Sequence, residues 1–442
     1  MGASSMNGTG NGAGPTVAVV LPGGGARGAY EIGALSVLLP ALEARGERVS
    51  VWCGTSVGAI NATTMAAFSH LPVREQSEQA LACWRDMRKR DVIAPIAGLG
   101  GARSMLRLLA HVLGVGQASR VSVLDPRPLE ASLDRWIDWR MLARNVEHGA
   151  IDSVCVVATS LASGGPVGFV SCRGGAPAHS DEDLRYVKTR LRGQHVRASA
   201  AIPLLFPAVE VTTPRAARGH YVDGGTRLNS PIKPALHLGA ERVIVGGLEP
   251  FAAAASRVSA PQGPRIADVA ANVLDGLLVD QVGNDLRRLA AINSFFAEDA
   301  SVGTSRAARA YRIARGHRPY RPISYALVSP RRRGEIGRLA DAVFERRFGG
   351  LRGLREPDYA LMSRALGGRT RSRGELLSFL MFDPEFTEEL IAMAKRDAER
   401  WLRRHPGFWC RDAAHDLSVG RMDHDRVLEQ ETLDEFRSLR RR

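Results

Sequence analysis

Cysteine is scarce in this 442-residue chain, and the few cysteines are far apart in the sequence. There are five, an odd number, and no two of them form a C-x-x-C pair. Disulfide frameworks use an even set of cysteines and structural zinc sites use paired ones, so neither is indicated. We expect a cytoplasmic protein from a reducing compartment, with no metal. The cysteines are Cys53, Cys83, Cys155, Cys172 and Cys410.

Long apolar runs are also missing. One long stretch without a charged residue, 49–73, is interrupted by Gly, Ser, Thr, Asn and His. A membrane-spanning helix needs about 20 predominantly apolar residues, so we interpret this stretch as buried core. Residues 1–15 are rich in Gly, Ser and Asn and lack the basic and apolar segments of a secretory signal. We expect them to form a disordered tail.

Lysine is nearly absent, yet the chain is strongly basic. Lys and Arg number 60 against 46 Asp and Glu, a net charge of +14, and only four of the 60 are lysines. Residues 301–350 contain 12 arginines and three acidic residues. Six of these arginines recur every third residue, a spacing that spirals around a helix, so they predict a diffuse positive region. They are Arg306, Arg309, Arg312, Arg315, Arg318 and Arg321.

A positive region of this kind favours anionic surfaces. We expect peripheral contact with an anionic membrane surface, and the alternative is an ordinary solvated charged face. The arginine content also fits a bias in genome base composition. The sequence has no zinc finger, RNA-recognition motif or basic motif interleaved with aromatic residues, so no nucleic-acid partner is predicted.

Two strand–loop–helix units open the folded part of the chain. The apolar, β-branched run 16–21 ends at a Pro-Gly-Gly-Gly turn and precedes a helical pattern at 29–42. The run 49–53 leads through a Gly-Thr-Ser-Val-Gly turn into a second helical pattern at 59–68. Successive units of this kind predict an α/β fold with a mostly parallel sheet covered by helices.

The rest of the chain alternates predicted strands with long helical patterns. Helices are predicted between 75 and 145, where an apolar stripe and three tryptophans indicate core; the alternative is a mobile cap over 92–116 that opens onto lipid. Long helical patterns also occupy 265–296 and 376–405. Further strands are predicted at 153–159, 167–172, 220–222, 242–247 and 323–328.

Ser56 is the first candidate for chemistry. It lies in a G-x-S-x-G sequence between a predicted strand and a predicted helix, where a sharp turn exposes the serine hydroxyl. Gly54 and Gly58 leave room for the close backbone approach of such a turn. The N-terminal amides of the following helix would face the charge that develops on an attacked carbonyl. The alternative is an ordinary Gly/Ser turn.

A glycine loop follows the first predicted strand. Residues 23–28 match the G-x-G-x-x-G fingerprint of dinucleotide-binding proteins. The acidic residue expected about 20 residues later is missing, because the second strand runs directly into the Ser56 turn. Backbone N–H groups of such a loop can bind an oxyanion as readily as a pyrophosphate. A nucleotide-binding regulatory module stays as an alternative, but it gives Ser56 no role.

A third motif, Asp223-Gly224-Gly225, follows the predicted strand 220–222 and is weak by itself. In this order, however, the G-G-G-x-R-G, G-x-S-x-G and D-G-G motifs resemble the patatin-like phospholipase family of serine acyl hydrolases. The resemblance covers residues 16–245 and includes A-T-S at 158–160, ASAAIPLLFP at 198–207 and N-S-P at 229–231. Residues 376–397 also look like the C-terminal portion of some bacterial members.

The resemblance implies a catalytic dyad, with Ser56 as nucleophile and Asp223 as its base, and no cofactor. It also implies an oxyanion hole made by backbone amides of Gly24, Gly25 and Ala26. Arg27 matches a basic position of the family's loop, where it holds the loop, favours anionic headgroups or forms a structural ion pair. Residues that support the motifs are Gly23, Arg27, Gly28, Gly54, Gly58, Gly224 and Gly225.

The implied fold is a three-layer patatin-like α/β domain at 16–245, with a mainly helical extension at 246–442 packed on it. The implied activity is hydrolysis of fatty-acyl esters of phospholipids or lysophospholipids. A soluble carboxylesterase or thioesterase is the alternative, because its serine chemistry is the same. A Ser-Asp-His triad would need His237 or His317. His237 lies in a predicted helix at 234–238, where capping or packing is the expected role.

Overall fold

A computed structural model describes residues 14–94, 124–177, 184–203, 205–250, 322–349 and 371–411, together with 293, 306, 310, 313 and 314. Several sequence predictions fall wholly or mainly outside these residues. They are the tail at 1–15, the cap at 92–116, the helix at 265–296, the arginine series from Arg309 to Arg321, and His317.

Nine strands form one central sheet in the described part of the chain. They are β1 (Val17–Leu21), β2 (Val49–Thr55), β3 (Ser153–Ser160), β4 (Pro166–Cys172), β5 (Arg185–Lys188), β6 (Val209–Val211), β7 (Gly219–Asp223), β8 (Arg242–Gly246) and β9 (Ser324–Val328). The main order is β5-β4-β3-β2-β1-β8-β9, with β7 beside β3 and β6 beside β7. The pairs that join β3, β2, β1, β8 and β9 are all parallel.

Helices flank the sheet. Those described are α1 (Gly28–Glu43), α2 (Val57–Ala67), α3 (Val73–Asp86), α4 (Lys89–Val92), α5 (Arg127–Trp136), α6 (Trp139–Glu147), α7 (Gly193–Ser199), α8 (Gly225–Leu228), α9 (Ile232–His237), α10 (Glu335–Phe348), α11 (Arg371–Leu380) and α12 (Pro384–Arg404). The predicted α/β class, a mostly parallel sheet between helices with a helical C-terminal region, is confirmed.

The central strands are buried on both faces. All five residues of β1 are apolar and fully buried, and β3 is buried along its whole length. A strand covered by helices on both sides needs a continuous apolar run instead of alternation, and this explains the unbroken apolar sequence VAVVL of β1. The neighbouring α1 is likewise apolar around most of its surface, because it lies between the sheet and α12.

The C-terminal region packs directly on the N-terminal one. The Tyr30 hydroxyl of α1 donates a 2.6 Å hydrogen bond to Asp397 of α12. The C-terminal region also supplies β9, which extends the sheet beside β8. The outer edge of β9 is covered at Tyr325 by Cys410, and these two residues exchange two backbone hydrogen bonds of 2.8 Å. The domain boundary after residue 245 stays a prediction, but the sheet itself continues beyond it.

The helical pattern predicted at 376–405 is two helices. The chain leaves the helical conformation between α11 and α12, where Asp383 precedes Pro384 and accepts hydrogen bonds from the amides of Glu385 and Phe386. Proline disfavours helical geometry in the residue before it, so Asp383 begins a new helix as its cap. In the described segments, no helix has the length and apolar character needed to cross a membrane.

Candidate active site

The topology brings the ends of two distant strands together. Along one side of β3, β2 pairs with residues up to Val157, where its last residue is Thr55. From Ala158 onward β7 takes its place on that side, antiparallel to β3, with Asp223 opposite Ala158. The chain ends of β2 and β7 therefore meet, and the next residue after β2 is Ser56.

Ser56 occupies a strained turn between β2 and α2. Its φ of 55° lies in the left-handed region that non-glycine residues avoid. A Cβ added at Gly54 would collide with the backbone of Gly58, and one added at Gly58 would collide with the backbone of Leu21. These collisions explain why the turn needs glycine on both sides of the serine. The geometry matches the elbow expected from the sequence.

Ser56 and Asp223 are in direct contact. The Ser56 Oγ donates a hydrogen bond of 2.6 Å to Oδ2 of Asp223, and the amide of Gly225 donates one of 2.7 Å to Oδ1. Asp223 is fully buried, and Ser56 is only 4% exposed. The two oxygens of the carboxylate are thus fixed by different partners, and the carboxylate faces the serine hydroxyl.

Burial dominates the electrostatics of this pair. It raises the pKa of the Asp223 carboxyl to about 7 from an ordinary value of 3.8, and the hydrogen bonds from Ser56 and Gly225 oppose the rise. Desolvation disfavours the charged form of a carboxyl, which explains the direction. A group with a pKa near neutrality can both accept and return a proton at physiological pH.

The glycine loop lies beside the serine. The amide of Gly23 donates a 2.8 Å hydrogen bond to the Asn229 side chain, which ties the loop to the segment after Asp223. A Cβ added at Gly23 would lie 2.8 Å from Cβ of Ser56. The amides of Gly24, Gly25 and Ala26 donate no hydrogen bond to any described residue. These amides follow directly after Gly23, the residue of the loop that lies against Ser56.

Arg27 is a buried link and does not face solvent. Its side chain is completely buried, and its guanidinium contacts Glu375 at 2.5 Å and Ser378 at 2.7 Å, both on α11. The Phe379 ring lies 4.0 Å from the guanidinium carbon. Arg27 therefore has the structural role among those expected from the sequence: it forms an ion pair that attaches the glycine loop to α11. Its side chain is not open to a headgroup.

Sequence reasoning missed two residues that support the serine. The Ser56 amide donates a 2.8 Å hydrogen bond to the Ser199 hydroxyl, and that hydroxyl donates to the Val157 carbonyl at 2.5 Å. Ser199 thereby fixes the strained backbone at Ser56. The other residue is Asn229, described above. Both lie in segments that carry the family resemblance, but a single polar residue in those segments gives no signal of its contact.

The histidine considered for a triad lies elsewhere. His237 is in α9, where Nδ1 is 2.9 Å from the Tyr186 hydroxyl and the two rings pack edge to face. Among the described residues, no histidine has a hydrogen bond with Ser56 or Asp223. The described residues also contain no group of three or more His, Cys, Asp or Glu side chains placed to hold a metal ion.

Fold and site together define an α/β protein with a serine–aspartate pair at a strand–helix elbow. Residues 19–236 match the family model of the patatin-like phospholipases, so this part of the chain is a patatin-like phospholipase domain. A search of curated proteins gave no match.

One solved structure that the chain matches is VipD from Legionella pneumophila. The identity is 15%, the TM-score is 0.29, and the match covers 71% of this chain. The chain spans 61% of the length of VipD. At this score the likeness supports no argument about fold or function.

Proposed function

We propose that this protein hydrolyses fatty-acyl esters of phospholipids or lysophospholipids through Ser56 and Asp223. The observation that supports the proposal most directly is the 2.6 Å hydrogen bond between the two side chains at a strained elbow. The family match to patatin-like phospholipases supports a lipid acyl ester as the substrate.

In the first half-reaction, Oγ of Ser56 attacks the ester carbonyl and its proton passes to Oδ2 of Asp223. The carbonyl oxygen becomes an oxyanion, which the amides of Gly24, Gly25 and Ala26 and the amino end of α2 stabilise. The tetrahedral intermediate then collapses: the bond to the leaving alcohol breaks, and Asp223 returns the proton to that oxygen. The product is an acyl-Ser56 ester.

In the second half-reaction, water attacks the acyl-Ser56 carbonyl and gives its proton to Asp223. The bond to Oγ of Ser56 breaks, the fatty acid leaves, and the serine recovers its proton. A carboxylate is a weak base for a serine, so the buried Asp223, with its pKa near neutrality, suits this role better than a solvated one.

The pH dependence follows from the direction of that shift. A raised pKa leaves Asp223 protonated below about pH 7, and the protonated form cannot accept the serine proton. We therefore expect kcat/KM on a soluble short-chain ester to fall as the pH decreases through about 7. A profile that is flat from about pH 5 to about pH 8 would contradict Asp223 as the base, because the raised pKa lies within this range.

The nucleophile is tested by labelling. We expect a fluorophosphonate probe to modify Ser56 in the wild type and not in the Ser56→Ala variant, which should also lose ester hydrolysis. Ser160→Ala is a matched control, because Ser160 is another buried serine at a strand end. Undiminished labelling of Ser56→Ala would place the nucleophile elsewhere. Turnover of soluble esters but not of phospholipids by the wild type would favour the esterase alternative.

A further inference from the structure

An arginine-lined cavity opens beside the turn between β9 and α10. Its volume is about 480 Å³, and it is lined by Arg331, Arg332, Glu335, Arg338, Leu339 and Met393. We call it the arginine cavity. Its lining includes neither Ser56 nor Asp223.

The charge of the arginine cavity is not neutralised within the described part of the chain. Arg331, Arg332 and Arg338 are exposed, and none of them forms an ion pair with a described acidic residue. The one carboxylate in the lining, Glu335, accepts hydrogen bonds of 3.0 Å from the amides of Arg331 and Arg332. Those bonds hold the turn together. The lining of the cavity therefore contains three positively charged guanidinium groups and one negatively charged carboxylate.

The arginine cavity lies on the same edge of the sheet as the candidate active site. Because β1, β2, β8 and β9 are parallel, their carboxyl ends share one edge. Ser56 follows β2 there, and the turn before α10 follows β9. One residue connects the two places: Glu249 lies 4.0 Å from the Arg27 guanidinium and accepts a 3.3 Å hydrogen bond from the amide of Gly334.

We infer that the arginine cavity binds the phosphate of an anionic phospholipid headgroup and seats this edge of the protein on an anionic lipid surface. Guanidinium groups match phosphate oxygens in charge and in hydrogen-bond geometry. Leu339 and Met393 add apolar lining, which suits a lipid better than a soluble phosphate ester. The inference rests on the proposed function, since it brings the bilayer to the edge where Ser56 lies.

The test compares two triple variants of the full chain in a Ser56→Ala background, so that the vesicles are not hydrolysed. The first replaces Arg331, Arg332 and Arg338 by Gln. The matched control makes the same change to Gln at Arg74 of α3 and at Arg140 and Arg144 of α6. These three arginines are also exposed, and they have no ion pair with a described residue. Cosedimentation is measured with phosphatidylcholine vesicles and with an equal mixture of phosphatidylcholine and phosphatidylglycerol.

We expect the first variant to bind the mixed vesicles at least about tenfold more weakly than the unsubstituted background, because each basic residue near an anionic surface contributes to binding. The control should bind like the background, and all three should bind neutral vesicles equally. Equal binding of the two triple variants would overturn the inference. Binding of inorganic phosphate that is lost in the first triple variant, together with unchanged vesicle binding of that variant, would also overturn it, by assigning the cavity to small soluble anions.

A second readout separates this inference from the proposed function. With Ser56 intact, the first triple variant should hydrolyse a soluble short-chain ester as fast as the wild type and lose rate only on anionic vesicles. A wild type without esterase activity would refute the proposed function but leave the vesicle-binding result intact. Equal rates of the variant and the wild type on anionic vesicles would refute a role of the cavity in lipid access.

Discussion

Replacing Asp223 by Asn should lower kcat for ester hydrolysis by about 10²- to 10⁴-fold, the range typical of removing a general base. The amide is nearly the same size, and its oxygen can still accept the hydrogen bond from Gly225. It cannot accept the proton of Ser56. The loss should therefore appear in both steps of turnover, with little change in fluorescence or circular dichroism.

The same variant should be more stable than the wild type at alkaline pH. The pKa of Asp223 is raised in the folded state, so the wild type loses stability as the pH rises from about 4 to above 7 and the buried carboxyl becomes charged. Asn carries no such charge. We expect Asp223→Asn to gain up to about 4 kcal/mol in the free energy of unfolding at pH 8, and the gain to vanish near pH 4.

His237→Ala is the control for this experiment. His237 contacts Tyr186 and has no hydrogen bond with Asp223, so its removal should leave kcat nearly unchanged. If His237→Ala were inactive and Asp223→Asn active, the assignment of the base would be wrong, and a triad would have to be sought.

Arg27→Ala should destabilise the protein by about 3 kcal/mol or more, the scale for removing one partner of a buried ion pair. The guanidinium of Arg27 is completely buried, and its loss leaves Glu375, whose side chain is 16% exposed, without its partner. Because Arg27 also holds the glycine loop against α11, kcat should fall as well. Chemical denaturation and steady-state kinetics measure the two effects.

An exposed arginine–glutamate pair provides the comparison. Arg85 and Glu388 are 2.7 Å apart, but their side chains are 45% and 52% exposed. Solvent screens such a pair, so Arg85→Ala should cost less than about 1 kcal/mol and leave kcat unchanged. Similar losses for Arg85→Ala and Arg27→Ala would show that burial of the Arg27 pair adds nothing to stability.

The local parts of the candidate site could be predicted from the sequence. The elbow at Ser56 depends on glycines within two positions of the serine. A Cβ at Gly54 would collide with Gly58 inside the turn, and only the collision of a Cβ at Gly58 with Leu21 involves another strand. The order of strand, glycine loop and helix is local in the same way. Apolar β-branched runs mark β1, β2 and β9, and all three strands lie at the predicted positions within two residues.

The long-range parts could not be predicted from local patterns. Asp223 lies 167 residues after Ser56 and Glu375 lies 348 residues after Arg27, so no spacing rule links them. The family resemblance supplied the first pairing, and nothing supplied the second. Similarly, the strand at 323–328 was predicted, but its pairing with β8 depends on the packing of the whole C-terminal region.

The position of β9 bears on aggregation. An unpaired edge strand presents a row of free backbone donors and acceptors that can pair with another copy of the chain. β9 covers β8, and Cys410 in turn covers part of β9 through its exchange of hydrogen bonds with Tyr325. A fragment that stopped at the end of the family match would leave the apolar β1 open to such pairing, since both β8 and β9 come after residue 236. Strands β8 and β9 thus cover the edge that β1 would otherwise present to another copy of the chain.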